Sequence, residues 1–332
     1  MDDGSAPTIA AWQRAEYVTR PVELLRLLQL DPATPGLDAE RLRDFPLRVP
    51  RGFVTRMRPG DPWDPLFRQV WPATEEAREL PGYGTDAVGD LAALESGGLI
   101  RKYRGRVLLI ASGACAVHCR YCFRRHFPYA DAAAARDRWR EALRAIAADP
   151  SIREVILSGG DPLALNDDKL AALAEGLEGI AHVRRLRIHT RLPVMLPERV
   201  DGTLLRWLGN TRLAKSVVLH VNHPDEIDRS VAAAFAALTG TGAVLLNQAV
   251  LLKGVNDDAG TLASLSERLF ESGVLPYYLH MLDRVQGVGH FGVNPSNAKT
   301  IMRELAAQLP GYLVPRLVRE VAGAPAKTPL PW

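Results

Sequence analysis

The sequence predicts an α/β fold, an open partial barrel of six βα units with a loop-rich helical region before it and a short extension after it. Three observations carry that expectation. Short apolar runs alternate with amphipathic segments from about residue 106 onward. Prolines crowd the first hundred residues. All the cysteines, Cys115, Cys119 and Cys122, fall just after the first apolar run.

The apolar runs lie at 107–110, 155–157, 186–188, 217–221, 243–246 and 275–279, and the segments between them at 136–147, 169–177, 202–208, 228–238 and 261–271 have helical periodicity. Short apolar runs bounded by such helices read as strands of a parallel sheet covered on both faces. Six strands are too few to close an eight-stranded barrel, so an open crescent is expected. Before it, Pro32, Pro35, Pro46, Pro50, Pro59, Pro62, Pro65, Pro72 and Pro81 punctuate short helical stretches at 10–17 and 22–28. Proline this dense forbids long helices and central strands. Residues 1–100 are therefore expected to wrap the main unit at 101–305 rather than fold alone. A further helix is expected at 299–307, and a strand at 313–319 belongs to the C-terminal segment, 306–332.

Composition narrows the function. The net charge of +3 is small for 332 residues and no basic run stands out, which gives nucleic-acid binding no support. No apolar stretch reaches the roughly 18 residues of a membrane helix, and the acidic N-terminus lacks the basic and apolar parts of a signal peptide. A soluble cytoplasmic protein is expected.

The cysteines are spaced C-x₃-C-x₂-C in the segment Ala114-Cys-Ala-Val-His-Cys-Arg-Tyr-Cys122. A disulfide framework would spread them in pairs. Zinc needs a fourth ligand, which His118 or His126 would have to supply, and no second cysteine pair exists. A four-iron cluster held by three thiolates leaves one iron open. A bare electron-transfer module stays compatible with this spacing. Polar residues also stand at the ends of the expected strands: Ser158, Gly159, Gly160 and Asp161, then His189 and Arg191, His220 and Asn222, Asn247 and Gln248. In parallel α/β architectures that end of the sheet faces the ligand.

The cysteine spacing, with the aromatic Tyr121 before the last cysteine, resembles the signature of the radical S-adenosylmethionine (radical SAM) superfamily. That resemblance implies a [4Fe–4S] cluster on Cys115, Cys119 and Cys122, an open barrel of the radical SAM type, and the Ser158–Asp161 turn and other strand-end residues as contacts for S-adenosylmethionine. From about Phe45 to Pro329 the chain is similar to the lysine 2,3-aminomutase family. There, Lys327 in Gly323-Ala-Pro-Ala-Lys327-Thr-Pro would form an imine with pyridoxal phosphate, with Lys102, Tyr103 and Arg106 as candidates for its phosphate and ring. Arg124 would clamp the α-carboxylate of lysine, while Asp283 and Glu320 would bind its distal ammonium. Glu320 departs from the family's aspartate; its extra methylene shortens the pocket or shifts the cation. Against glutamate as substrate, the two carboxylates would repel a distal carboxylate; arginine is the other alternative within the family. The chain ends five residues after Lys327 with no further cysteine, which resembles the branch that makes (R)-β-lysine for a ligase acting on elongation factor P. Flavodoxin or ferredoxin is the implied electron donor.

Overall fold

A computed structural model describes residues 11–34, 36–37, 45–129 and 138–332. Position 10 of the expected 10–17 stretch, positions 136 and 137 of the expected 136–147 helix, and Pro35 lie outside the described residues.

The N-terminal region is short-ranged, as its prolines require. A two-stranded antiparallel ribbon, β1 (Tyr17–Val18) with β2 (Val49–Pro50), flanks the helix Pro21–Leu27, whose first position is proline. A hairpin follows, β3 (Leu94–Glu95) and β4 (Leu99–Ile100), turning through Gly97 and Gly98 at φ of +73° and +77°. Seven parallel strands then run in sequence order: β5 (Arg106–Ser112), β6 (Glu154–Gly159), β7 (Arg185–Thr190), β8 (Ala214–Leu219), β9 (Val244–Leu251), β10 (Leu275–Met281) and β11 (Arg316–Arg319). Antiparallel β12 (Thr328–Pro329) completes the sheet beside β11.

Six of the parallel strands fall on the six apolar runs. The strand expected within the C-terminal segment narrows to β11 and joins the sheet beside β10 as a seventh. The sheet stays open: β3 and β12 are its two ends.

The helices Asp167–Glu178, Gly202–Asn210, Arg229–Thr239, Ala259–Glu271 and Pro295–Gln308 each start at an Asn or Asp whose side chain accepts from a backbone N–H of the first turn. These caps satisfy donors that a helix cannot bond internally. The helices press leucine-rich faces on the sheet, with Leu170, Leu173, Leu177, Phe235 and Leu238 nearly inaccessible. All of β6 is buried, as a central parallel strand must be. No helix among the described residues is long and apolar enough to cross a membrane.

The first hundred residues are built into this frame by side chains. Arg56 Nη1 donates to the carbonyls of Val194 (2.7 Å) and Glu226 (2.8 Å). Gln69 is fully buried; its Nε2 donates to Glu226 Oε1 at 3.0 Å while its oxygen accepts from Arg191 Nη2 at 2.6 Å.

Candidate active site

A cavity of about 460 Å³ opens at the C-terminal ends of the parallel strands. The cysteine loop after β5 forms one wall and starts from a tight junction. A β-carbon on Gly160 would lie 2.5 Å from the Ala114 carbonyl oxygen, and one on Gly159 would collide with the Ser112 carbonyl. Gly159 also holds φ at +121°, which side chains resist. The close approach is used: Gly160 N donates to Ser112 O at 2.7 Å, and Asp161 N to Ala114 O at 2.8 Å. The Ser158–Asp161 turn therefore clasps the base of the cysteine loop while lining the cavity.

Buried charge holds the middle of that loop. Arg120 Nε and Arg125 Nη2 each lie 2.7 Å from the carboxylate of Glu76. Arg191, after β7, donates from Nη1 to Cys119 Sγ at 2.8 Å and from Nη2 to Glu226 Oε2 at 2.9 Å. Glu226 is fully buried and also accepts from the backbone N–H of Asn222 and His223. The Asp161 carboxylate is saturated: Leu163 N, Thr190 Oγ1, Arg191 N and Leu192 N all donate to it. It sets the turn after β7 and has little left for a ligand.

The three thiols line the cavity and form no disulfide. Burial pushes the Cys122 thiol up to about 11 and Cys115 higher still, whereas metal coordination deprotonates a thiol outright. Among the described residues no three His, Cys, Asp or Glu side chains are placed to hold a single metal ion. His118 and His126 each turn a ring nitrogen to a backbone carbonyl, that of Pro46 at 2.8 Å and that of Gln286 at 3.1 Å. A four-iron cluster asks less of convergence, since each thiolate takes its own iron. The donor set fits a cluster better than zinc.

Beyond the thiols, His280 is buried and His189 half-buried, and desolvation holds both imidazoles well below their usual pKa. Each keeps Nε2 on the cavity wall without a hydrogen-bond partner among the described residues. Orphaned ring nitrogens of this kind, each a donor or an acceptor according to its tautomer, suit a polar ligand. His220 meets the Tyr121 hydroxyl at 2.9 Å and stacks on its ring, and Gln248 faces the same space. Two expected ligand contacts do not reach it. Asn247 exchanges both side-chain bonds with the Val221 backbone, and Asn222 bonds Gln69 and Val250 N. Both tie neighbouring strands together; a polar residue at a strand end can close a ladder as readily as it can face a ligand.

The far end of the cavity gathers Lys102, Tyr103, Arg106, Arg124, Asp283, Glu320 and Lys327. Lys327 Nζ donates to Glu320 Oε2 at 2.8 Å and lies 5.7 Å from the centre of the Tyr278 ring. The Tyr103 hydroxyl donates to Glu320 Oε1 at 2.7 Å, spanning the gap between the two edges of the parallel run. Burial opposes charge on Glu320, but Lys327 outweighs it and the carboxyl is held below its usual range. Asp283 differs. It makes no side-chain hydrogen bond or ion pair among the described residues, and burial, then the Glu320 charge, lifts its carboxyl to about 7. Arg106 lies over the Tyr103 ring at 4.6 Å and makes no ion pair among the described residues. Lys102, the other cation expected for the phosphate, is engaged within the chain: its Nζ is held by Asp90 Oδ1 (2.5 Å), Val88 O (2.8 Å) and Glu320 (3.5 Å). The set still fits an aldehyde-bearing phosphorylated cofactor, with an amine at the wall, an aromatic face and the Arg106 cation.

Sequence reasoning missed Asp90, Gln69, Glu226 and His280. The first three sit in a loop or in short helical turns without a motif; His280 had a signal, its place one residue from the end of an expected strand.

The comparisons with known proteins agree with the geometry. The Radical SAM superfamily profile matches residues 109–259, which run from β5 through β9 and include the cysteine loop. An open parallel barrel with three cysteines at its mouth and that match define a radical SAM enzyme. Relatives called L-lysine 2,3-aminomutase are 48% identical in Escherichia coli K12 (98% of this chain, 96% of the relative) and 47% identical in Haemophilus influenzae (94% and 92%). One from Clostridium subterminale is 31% identical over 96% of this chain and 77% of its own. The chain belongs to the L-lysine 2,3-aminomutase family, a family of isomerases.

Proposed function

We propose that this enzyme converts (S)-α-lysine to (R)-β-lysine with pyridoxal phosphate bound at Lys327. The single observation that carries the reading is the shared cavity: three thiols, an amine at Lys327, the Arg124 guanidinium and the unpaired Asp283 carboxylate all face it. When bound, the iron–sulfur cluster with S-adenosylmethionine supplies one-electron hydrogen abstraction, and pyridoxal phosphate supplies conjugation for an unpaired electron beside nitrogen.

The chain's own residues place and enclose the substrate. Arg124 spends Nε on Asp90 at 2.6 Å and one Nη1 bond on Ser158 Oγ at 3.1 Å, and the rest of its fork is offered to a carboxylate. Asp283, which has no ion-pair partner among the described residues, takes the distal ammonium. Glu320 holds Lys327 and Tyr103 and is the second anion of that pocket. Arg106 is the cation for the cofactor phosphate. Arg191 sets the Cys119 sulfur, and His189, His220, His280 and Gln248 offer polar groups to S-adenosylmethionine or substrate. A glutamate side chain would bring a third carboxylate beside Asp283 and Glu320, which disfavours that substrate.

The resemblance to the elongation factor P branch extends the proposal to the product's use, as β-lysine for the ligase acting on that factor, with flavodoxin or ferredoxin as electron donor. The relatives called L-lysine 2,3-aminomutase in Escherichia coli and Haemophilus influenzae support the lysine reaction on which that use rests.

Borohydride reduction of the pyridoxal phosphate-loaded protein followed by peptide mapping tests the cofactor assignment. The pyridoxyl group is expected on Lys327; its appearance on Lys253 or Lys299 would overturn that assignment.

A further inference from the structure

Asp90 lies outside every motif and is 2% exposed, yet it touches two cations of the cavity at once. Its Oδ2 accepts from Arg124 Nε at 2.6 Å and its Oδ1 pairs with Lys102 Nζ at 2.5 Å. The loop that carries it is itself fixed. Asp86 accepts from Asp90 N at 2.8 Å and from Leu91 N at 3.0 Å. Gly89 holds φ at +71°, where a β-carbon would stand 3.0 Å from that of Ala322. Lys102 is anchored from the same loop by the Val88 carbonyl at 2.8 Å.

We propose that Asp90 is a positioning residue: it aims the Arg124 guanidinium at the substrate carboxylate by holding its Nε edge and by separating it from Lys102. The proposal rests on the reading of Arg124 given above. Arg124 has two routes to a carboxylate, through the Nε edge or through the Nη pair. Asp90 closes the first and Ser158 takes one donor of the second, so a single approach remains. The same carboxylate neutralises two cations that would otherwise repel each other across a buried space. Without it the guanidinium turns away or is pushed aside, and a carboxylate bound to it drags the reacting carbon out of line. A misplaced substrate loses turnover more than affinity, because the cation is still there to attract it.

A double-mutant cycle in the fully loaded enzyme separates positioning from a merely structural role. Asp90→Asn should lower kcat for lysine, per cofactor-loaded site, by at least about tenfold while KM moves by less than about threefold. In an Arg124→Lys background the same change should alter kcat by less than about threefold, because the group through which Asp90 acts has gone. If Asp90→Asn does not fold, Asp90→Glu carries the cycle. It keeps the charge, moves it by one methylene, and should give a smaller loss that again vanishes with Arg124→Lys. An equal loss in both backgrounds would overturn the role assigned to Asp90 and leave the Arg124 reading intact. An Arg124→Lys single variant that handles lysine as the parent does would overturn both.

Discussion

Glu320 accepts from Lys327 Nζ at 2.8 Å, so the carboxylate expected to bind the substrate's distal ammonium is already engaged by the chain's own amine. Its other oxygen is taken by the Tyr103 hydroxyl. Of the two anions assigned to that ammonium, only Asp283 has no ion-pair partner among the described residues, and burial, then the Glu320 charge, lifts its carboxyl to about 7.

The lift has a sign that can be measured. The folded chain keeps a proton on Asp283 that the unfolded chain releases near the ordinary value of about 4. Its contribution to stability therefore falls as pH rises from about 4 to about 7. Asp283→Asn should remove that slope from thermal unfolding curves of the cofactor-free protein. A cationic substrate must also displace the proton, so KM for lysine should rise as pH falls through about 7. Glu320→Gln, which removes the nearby negative charge, should move that rise to lower pH. A flat KM across this range would show that Asp283 does not read the ammonium.

Gly160→Ala should disable the cluster without touching a ligand. The added β-carbon, 2.5 Å from the Ala114 oxygen, must push the cysteine loop off the end of β6. Iron retained after anaerobic reconstitution should fall well below the parent's, and Gly159→Ala should behave alike. Parent-like iron content in both would mean that the junction does not set the loop.

The strands, most helices, the cysteine loop and the cavity's charged residues were legible in the sequence because each has a local signature: an apolar run, an Asx cap, a fixed spacing, a family motif. What escaped is assembled from distant segments. Asp90 meets Arg124 across 34 positions and Gln69 meets Glu226 across 157, and no local pattern marks either pair. β11 joins the sheet although its central Leu317 and Val318 are flanked by exposed or half-exposed arginines, Arg316 and Arg319. Asn222 and Asn247 misled for the opposite reason. Their position at strand ends suits a ligand contact, but the buried backbone beside them claimed their side chains first.

Arg191 and Glu226 form a buried pair whose rupture should be costly. Arg191→Met leaves Glu226 charged and fully buried, which should destabilise the fold by about 3–5 kcal/mol. Pairing it with Glu226→Gln should recover much of that loss. Denaturant unfolding of both variants, without cluster or cofactor, reads the difference. Equal instability of the single and double variants would place the cost elsewhere, in the lost contact with Cys119.

The central claim is an amino-group shift on lysine, and product analysis tests it most directly. Anaerobically reconstituted protein, loaded with iron, sulfide and pyridoxal phosphate, is incubated with lysine, S-adenosylmethionine and a reductant, and the amino acids are separated by chiral chromatography. The account predicts (R)-β-lysine from the parent and none from Cys119→Ala or Lys327→Ala. S-adenosylmethionine cleavage by the parent with lysine returned unchanged would contradict it.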